Sequence, residues 1–123
     1  MTKQGKSKAP ESLLPLTPAV FHILITLANG EAHGYAIMQE VTRRSGGVVR
    51  LGPGTLYGAI SRLLEDGIIE ESEERPDAGM DKRRRYYRLT KLGGRVLAAE
   101  TQRLADMVRA ARSTKVIRKL KPA

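Results

Sequence analysis

The chain has 123 residues, with 22 Lys plus Arg against 13 Asp plus Glu and a formal net charge of +9. That length suits one domain with one sizeable core, and so much positive charge on a small body points to a polyanionic partner, nucleic acid or an anionic membrane surface. With no cysteine and only His22 and His33, disulfides, thiol redox chemistry, cysteine nucleophiles and thiolate zinc sites are excluded, and no metal or other cofactor is expected.

The opening residues MTKQGKSKAP are polar and basic and contain Gly and Pro, so residues 1–12 are expected to form a disordered basic arm. Thr17-Pro18 reads as a helix start, a Thr N-cap followed by Pro where its missing N–H costs nothing. Val20, Phe21, Ile23, Leu24, Leu27 and Ala28 then recur at helical spacing, and Asn29-Gly30 closes the helix. A second helix is predicted over about 34–44, with Ile37, Met38 and Val41 inward and Ser45-Gly46-Gly47 ending it. The third opens at Gly52-Pro53 and closes at Gly67; Leu56, Ala59, Ile60, Leu63 and Leu64 share one face that must be buried. Its opposite face carries Gly54, Gly58, Ser61 and Arg62, flanked by Thr55 and Tyr57, and its small bulk lets the helix approach another surface closely.

After Gly67 the period changes. Residues 68–74 and 84–89, around a loop containing Pro76-Asp77-Ala78-Gly79, read as a β-hairpin. Thr90 caps a last helix with a stripe of Leu97, Leu104, Met107, Val108 and Ala111. The positive charge is concentrated in three places: Lys3, Lys6 and Lys8 in the arm, the run 82–85 in the hairpin, and Arg112, Lys115, Arg118, Lys119 and Lys121 at the end. Arms and a projecting loop fit that layout better than one uniformly basic face. Three helices, a hairpin with a basic tip and a further helix make a mainly α fold of winged helix-turn-helix layout. Residues 13–90 form the winged domain, 91–112 a long C-terminal dimerisation helix and 113–123 a basic tail. The third helix can enter a major groove by its N-terminal turns while the hairpin reaches the flanking backbone.

The strings HGYAIMQEV (33–41), GPGTLYGAISRLLEDGIIE (52–70) and RRRYYRLTKLG (83–93) closely resemble the PadR-like bacterial transcriptional regulators, over about residues 12–111. The short C-terminal portion resembles the smaller subgroup, which has one terminal helix in place of a separate domain. The resemblance implies a homodimeric cytoplasmic repressor that binds an inverted-repeat operator and is released by a small-molecule ligand. One position departs from the pattern: Gly58 stands where members usually have Pro after "LY".

Thr55, Tyr57, Gly58, Ser61 and Arg62 are therefore the expected reading residues. Arg62 is the leading candidate, because its fork can grip guanine or phosphate bidentately. A solvated Arg62 paired with Asp66 is the alternative, as a boundary core position is for Tyr57. Lys82, Arg83, Arg84 and Arg85 are the wing candidates. Cross-strand pairing with Glu70, Glu71, Glu73 or Glu74 is expected to neutralise Arg84, Arg85 or Arg88, which leaves Lys82 and Arg83 as the first DNA contacts. Tyr86 and Tyr87 alternate along a strand, so one should face inward and the other outward, though packing of both within the hairpin is favoured over base stacking. Arg43, Arg44 and Arg50 flank the turn between the second and third helices and would hold the DNA backbone.

The terminal stripe exceeds what the core of one winged domain needs, so a second copy of the chain is the expected partner beside double-stranded DNA. Three other functions compete with this one. A non-specific basic nucleic-acid binder would not require a capped, small-faced third helix. A membrane role is disfavoured by the short C-terminal segment without an aromatic anchor, and neither a cleavable signal nor an apolar run of about 18 residues is seen, so a soluble protein is expected. An enzyme is disfavoured, since no coupled nucleophile and base, phosphate-binding loop or metal cluster is visible.

Overall fold

The computed structural model describes residues 9–72 and 85–120. A 3-10 turn, Pro10–Leu13, precedes α1 (Pro18–Ala28), β1 (Ala32–His33), α2 (Gly34–Arg44), α3 (Pro53–Glu65), β2 (Ile69–Glu71), β3 (Tyr86–Leu89), α4 (Lys91–Arg112) and α5 (Lys115–Leu120). At the end of the expected basic arm, Pro10, Glu11 and Ser12 form a turn, and Leu13 behind them packs against the core. Within the expected basic tail, α5 is a short helix whose Val116 and Leu120 are exposed.

Local chemistry sets the helix ends. The Thr17 hydroxyl accepts from the Val20 amide and the Thr90 hydroxyl from the Gly93 amide, so each satisfies one of the donors that a helix start leaves without partners. α2 starts differently. His33 caps it, its ring Nδ1 accepting from the Ala36 N–H at 3.3 Å while the ring lies edge-on to Tyr86 with centroids 5.3 Å apart.

The sheet has three strands in the order β1-β3-β2, all antiparallel. Glu70 faces Arg88 and Glu71 faces Tyr87 in the hairpin, while Ala32 and His33 pair with Tyr87 and Tyr86. The added strand makes β3 central and places both tyrosines in packed surroundings, at 4% and 5% exposure. The expected outward-facing tyrosine is absent: Tyr87 joins the core, and Tyr86 lies edge-on to the His33 ring that β1 sets opposite it.

Ile23, Leu24 and Leu27 of α1, Ile37 and Val41 of α2, Leu56, Ala59, Ile60 and Leu63 of α3, Ile69, Tyr87 and Val96 form one core. α4 is joined to that core by an unusually close approach. A Cβ at Gly93 would collide with the backbone carbonyl oxygen of Ile68 and lie 3.0 Å from Leu89 Cδ2, whereas one at Gly94 would meet open space. The two neighbours should therefore respond with opposite signs. Gly93→Ala is expected to lower stability in urea unfolding by about 1–3 kcal/mol through overpacking against an unyielding backbone. Gly94→Ala is expected to raise it by about 0.5–1 kcal/mol, the ordinary gain in an exposed helix interior.

Candidate nucleic-acid interface

Burial of one face of α3 decides what the other can offer. With Leu56, Ala59, Ile60 and Leu63 inside, Thr55, Tyr57, Ser61 and Arg62 are left exposed and Gly58 half-buried. The helix opens on an exposed Pro53-Gly54 step and carries no side-chain cap, so its first turn is bare. The Arg62 side chain leans back along the helix, as long helical side chains do. Its Nη1 lies 3.9 Å from where a Gly58 Cβ would be, which places the guanidinium on the N-terminal side and not toward Asp66.

Tyr57 is packed and exposed at once. The phenol lies across the backbone of Gly34 at the start of α2, where an added Cβ would collide with its hydroxyl and come 2.7 Å from Cζ. Yet the side chain keeps 47% of its surface exposed. It is a packing wedge between α2 and α3 and also a free phenol edge. Tyr35, the residue after Gly34, is 57% exposed, so two phenols flank the same turn. Tyr35 was not among the expected site residues; the only sign of it in the sequence was an aromatic on the polar side of α2.

The arginines divide by partner. Glu40 accepts hydrogen bonds from both Arg43 and Arg44, the latter at 2.9 Å. The Arg43 hydrogen bond and the charges of both arginines hold the Glu40 carboxyl below the usual carboxylate range. Arg50 donates to the Gly47 carbonyl at 3.2 Å. Arg85 pairs with Glu71 at 3.2 Å, and Arg88 reaches Glu70 at 2.8 Å and Glu31 at 3.8 Å. Pairing along the hairpin stem thus agrees with the cross-strand expectation for Arg85 and Arg88. Lys82, Arg83 and Arg84 lie outside the described residues. Such solvent-exposed pairs contribute roughly 0–1 kcal/mol each, so their arginines can exchange a carboxylate for a phosphate at little cost.

The terminal stripe also divides. Leu97 packs on the core of its own chain. Leu104 and Val108, with Phe21 of α1, Thr101, Ala105 and Arg109, line an open cleft of about 490 Å³. Met107 and Val108 are half exposed, and Ala111 is exposed. None of the described helices is long and apolar enough to cross a membrane.

A three-helix unit whose third helix offers an exposed, small-faced N-terminal half beside an antiparallel hairpin is a winged helix-turn-helix. Residues 23–99 match the family model of the transcriptional regulator PadR-like family. The chain is 38% identical over 88 residues to the transcriptional regulator Rv3488 of Mycobacterium tuberculosis, covering 72% of this chain and 77% of that one. It is 39% identical over 85 residues to a 37.1 kDa protein in transposon Tn4556 of Streptomyces fradiae, covering 69% of this chain but only 22% of the other. Its fold is similar to that of Bacillus subtilis PadR in complex with operator DNA, with a TM-score of 0.58 and 24% identity over 69% of this chain and 47% of that one. The chain belongs to the PadR-like family and is a transcriptional regulator, not an enzyme.

The Gly34–Tyr57 contact can be checked by a double-mutant cycle. Gly34→Ala is expected to destabilise by about 1–3 kcal/mol in urea unfolding. The same change in a Tyr57→Ala background should cost less by at least about 0.5 kcal/mol, since the clashing ring is gone. Equal costs in the two backgrounds would show that the wedge is not what requires glycine.

Proposed function

We propose that the chain is a sequence-specific double-stranded DNA-binding regulator, a homodimer that represses from an inverted-repeat operator. The observation that carries this reading is the two-sided character of α3, four core residues on one face and Thr55, Tyr57, Ser61 and Arg62 bare on the other. In this reading Arg62 and Tyr57 meet base edges or nearby phosphates, and Thr55 and Ser61 add short hydrogen bonds. Gly58 leaves the helix surface low beneath the Arg62 guanidinium. Arg43, Arg44 and Arg50 grip the backbone beside the helix, with Glu40 and the Gly47 carbonyl as their partners in the free protein. The wing contributes Lys82, Arg83 and Arg84, with Arg85 as a secondary contact because Glu71 holds it.

The partner copy covers the Phe21–Leu104–Val108 cleft and the exposed Met107 and Ala111, in line with the two-fold symmetry an inverted repeat demands. Release by a small molecule belongs to the same proposal, the ligand seated at the dimer interface or between the winged domain and α4.

The test is an anisotropy titration against a duplex selected by this protein from a random pool, beside a shuffled duplex, at about 0.15 M salt where exposed charges are screened beyond about 8 Å. A gap of about a thousandfold or more is expected. Arg62→Ala should remove about 1–3 kcal/mol of the preference for the selected site. Equal binding of both duplexes would identify a binder that works by charge alone. Leu104→Glu places a charge in the apolar cleft and is expected to give monomers by light scattering; dimers that persist would locate the interface elsewhere.

A further inference from the structure

The carboxylate of Glu100 is the one deeply buried charge among the described residues, at 1% exposure, and no part of DNA contact uses it. It lies on α4 one turn beyond Val96 and one turn before Leu104, within the helix's apolar arc. Its Oε2 accepts from the Leu16 backbone N–H at 3.0 Å. Arg103 closes over it, Nε to Oε1 at 2.6 Å and Nη2 to Oε2 at 2.9 Å. Leu16 stands two residues before the start of α1, so this clasp ties the entry to the winged domain onto the middle of α4.

A buried ion pair is a poor way to gain stability, because apolar residues of similar volume usually serve as well or better. What it adds is geometry: a bidentate fork and a backbone amide fix the carboxylate from two directions. It is also the last deep anchor. Gly93 and Val96 are buried and Leu97 packs on the core; beyond Glu100 only Arg103 and Leu104 are even half-buried, and residues 105–112 are exposed. α4 is therefore a helix clamped to the winged domain up to Glu100, with its remaining turns largely exposed beside Phe21.

We infer that the Leu16–Glu100–Arg103 clasp sets the angle of the projecting half of α4, and through it the half-site separation at which two copies bind; this rests on the dimer reading above. The leverage is large. From residue 101 to 112 the projecting arm is about 18 Å long, so a tilt of about 10° moves its end by about 3 Å. That is close to the 3.4 Å spacing of successive base pairs. Glu100 and Arg103 are positioning residues, touching no DNA themselves.

The experiment compares the full-length chain with Glu100→Gln, Glu100→Ala and Arg103→Gln. Light scattering reports the oligomer, and anisotropy titration uses the selected duplex and versions with the half-sites moved apart or together by one and two base pairs. The unaltered chain is expected to lose about tenfold or more in affinity per base pair of displacement, the scale of a mismatch in the site. Arg103→Gln and Glu100→Ala should remain dimers and hold the original spacing within about fivefold, while the penalty for displaced spacings falls to about threefold or less. Glu100→Gln keeps an acceptor for Leu16 and should be intermediate. Arg103→Gln changes a partly exposed side chain and carries the test should Glu100→Ala fail to fold. Spacing penalties unchanged in dimeric variants overturn the inference and leave the dimer reading intact. A monomeric unaltered chain overturns both.

Discussion

The requirement that Leu56, Ala59, Ile60 and Leu63 be buried together governs the rest of this structure. Leu56, Ile60 and Leu63 removed from water contribute on the order of 1.5–3 kcal/mol each and Ala59 less, a sum that no surface pairing here approaches. Once that face is inside, the helix has no rotational freedom, and Thr55, Tyr57, Ser61 and Arg62 must point out. α1 and α2 supply the floor with Ile23, Leu24, Leu27, Ile37 and Val41, and β2 and β3 close the side with Ile69 and Tyr87. The exposed face of α3 is thus a consequence of core packing, positioned as rigidly as the core itself, which is what a reading surface needs.

Much of this was legible in the chain because it is written in local chemistry. Thr17-Pro18, Gly52-Pro53 and Thr90 mark helix starts through capping and the fixed proline φ, and the α1, α2 and α3 stripes name their own buried faces. What escaped was non-local. The two-residue β1 has no period to read, yet it turns a hairpin into a sheet and sets His33 against Tyr86. Glu100 lies in an apolar arc, where a carboxylate should have raised suspicion, but its partner Leu16 is 84 residues away. The requirement for glycine at 34 and 93 depends on which surfaces meet, Tyr57 in one case and the Ile68 carbonyl in the other. No window of sequence contains either pair.

Charge is distributed in a way the net +9 conceals. Glu40 holds Arg43 and Arg44, a pairing the sequence reading did not include, while Glu70 and Glu71 hold Arg88 and Arg85 as the hairpin pattern implies. These contacts are exposed and individually weak, and they are screened by salt. Their effect is to keep the arginine side chains ordered and locally neutral until a stronger polyanion competes for them. In the proposed complex, DNA exchanges these carboxylates for phosphates, which lowers the net gain from each arginine relative to an unpaired one. Arg62 differs, since its guanidinium leans over Gly58 with a face free of bulk. On the proposed reading, this separates arginines that adjust affinity from one placed to discriminate.

The helix α4 is two things in sequence. Its first half is sealed to the winged domain by the Gly93 approach and Val96, up to the Glu100 clasp; its second half presents Leu104, Met107 and Val108 outward beside Phe21. Because an α-helix transmits rotation without a joint, whatever fixes the first half also aims the second. In the dimer proposed above, the aim of that second half is then settled inside each protomer, by contacts formed when the chain folds.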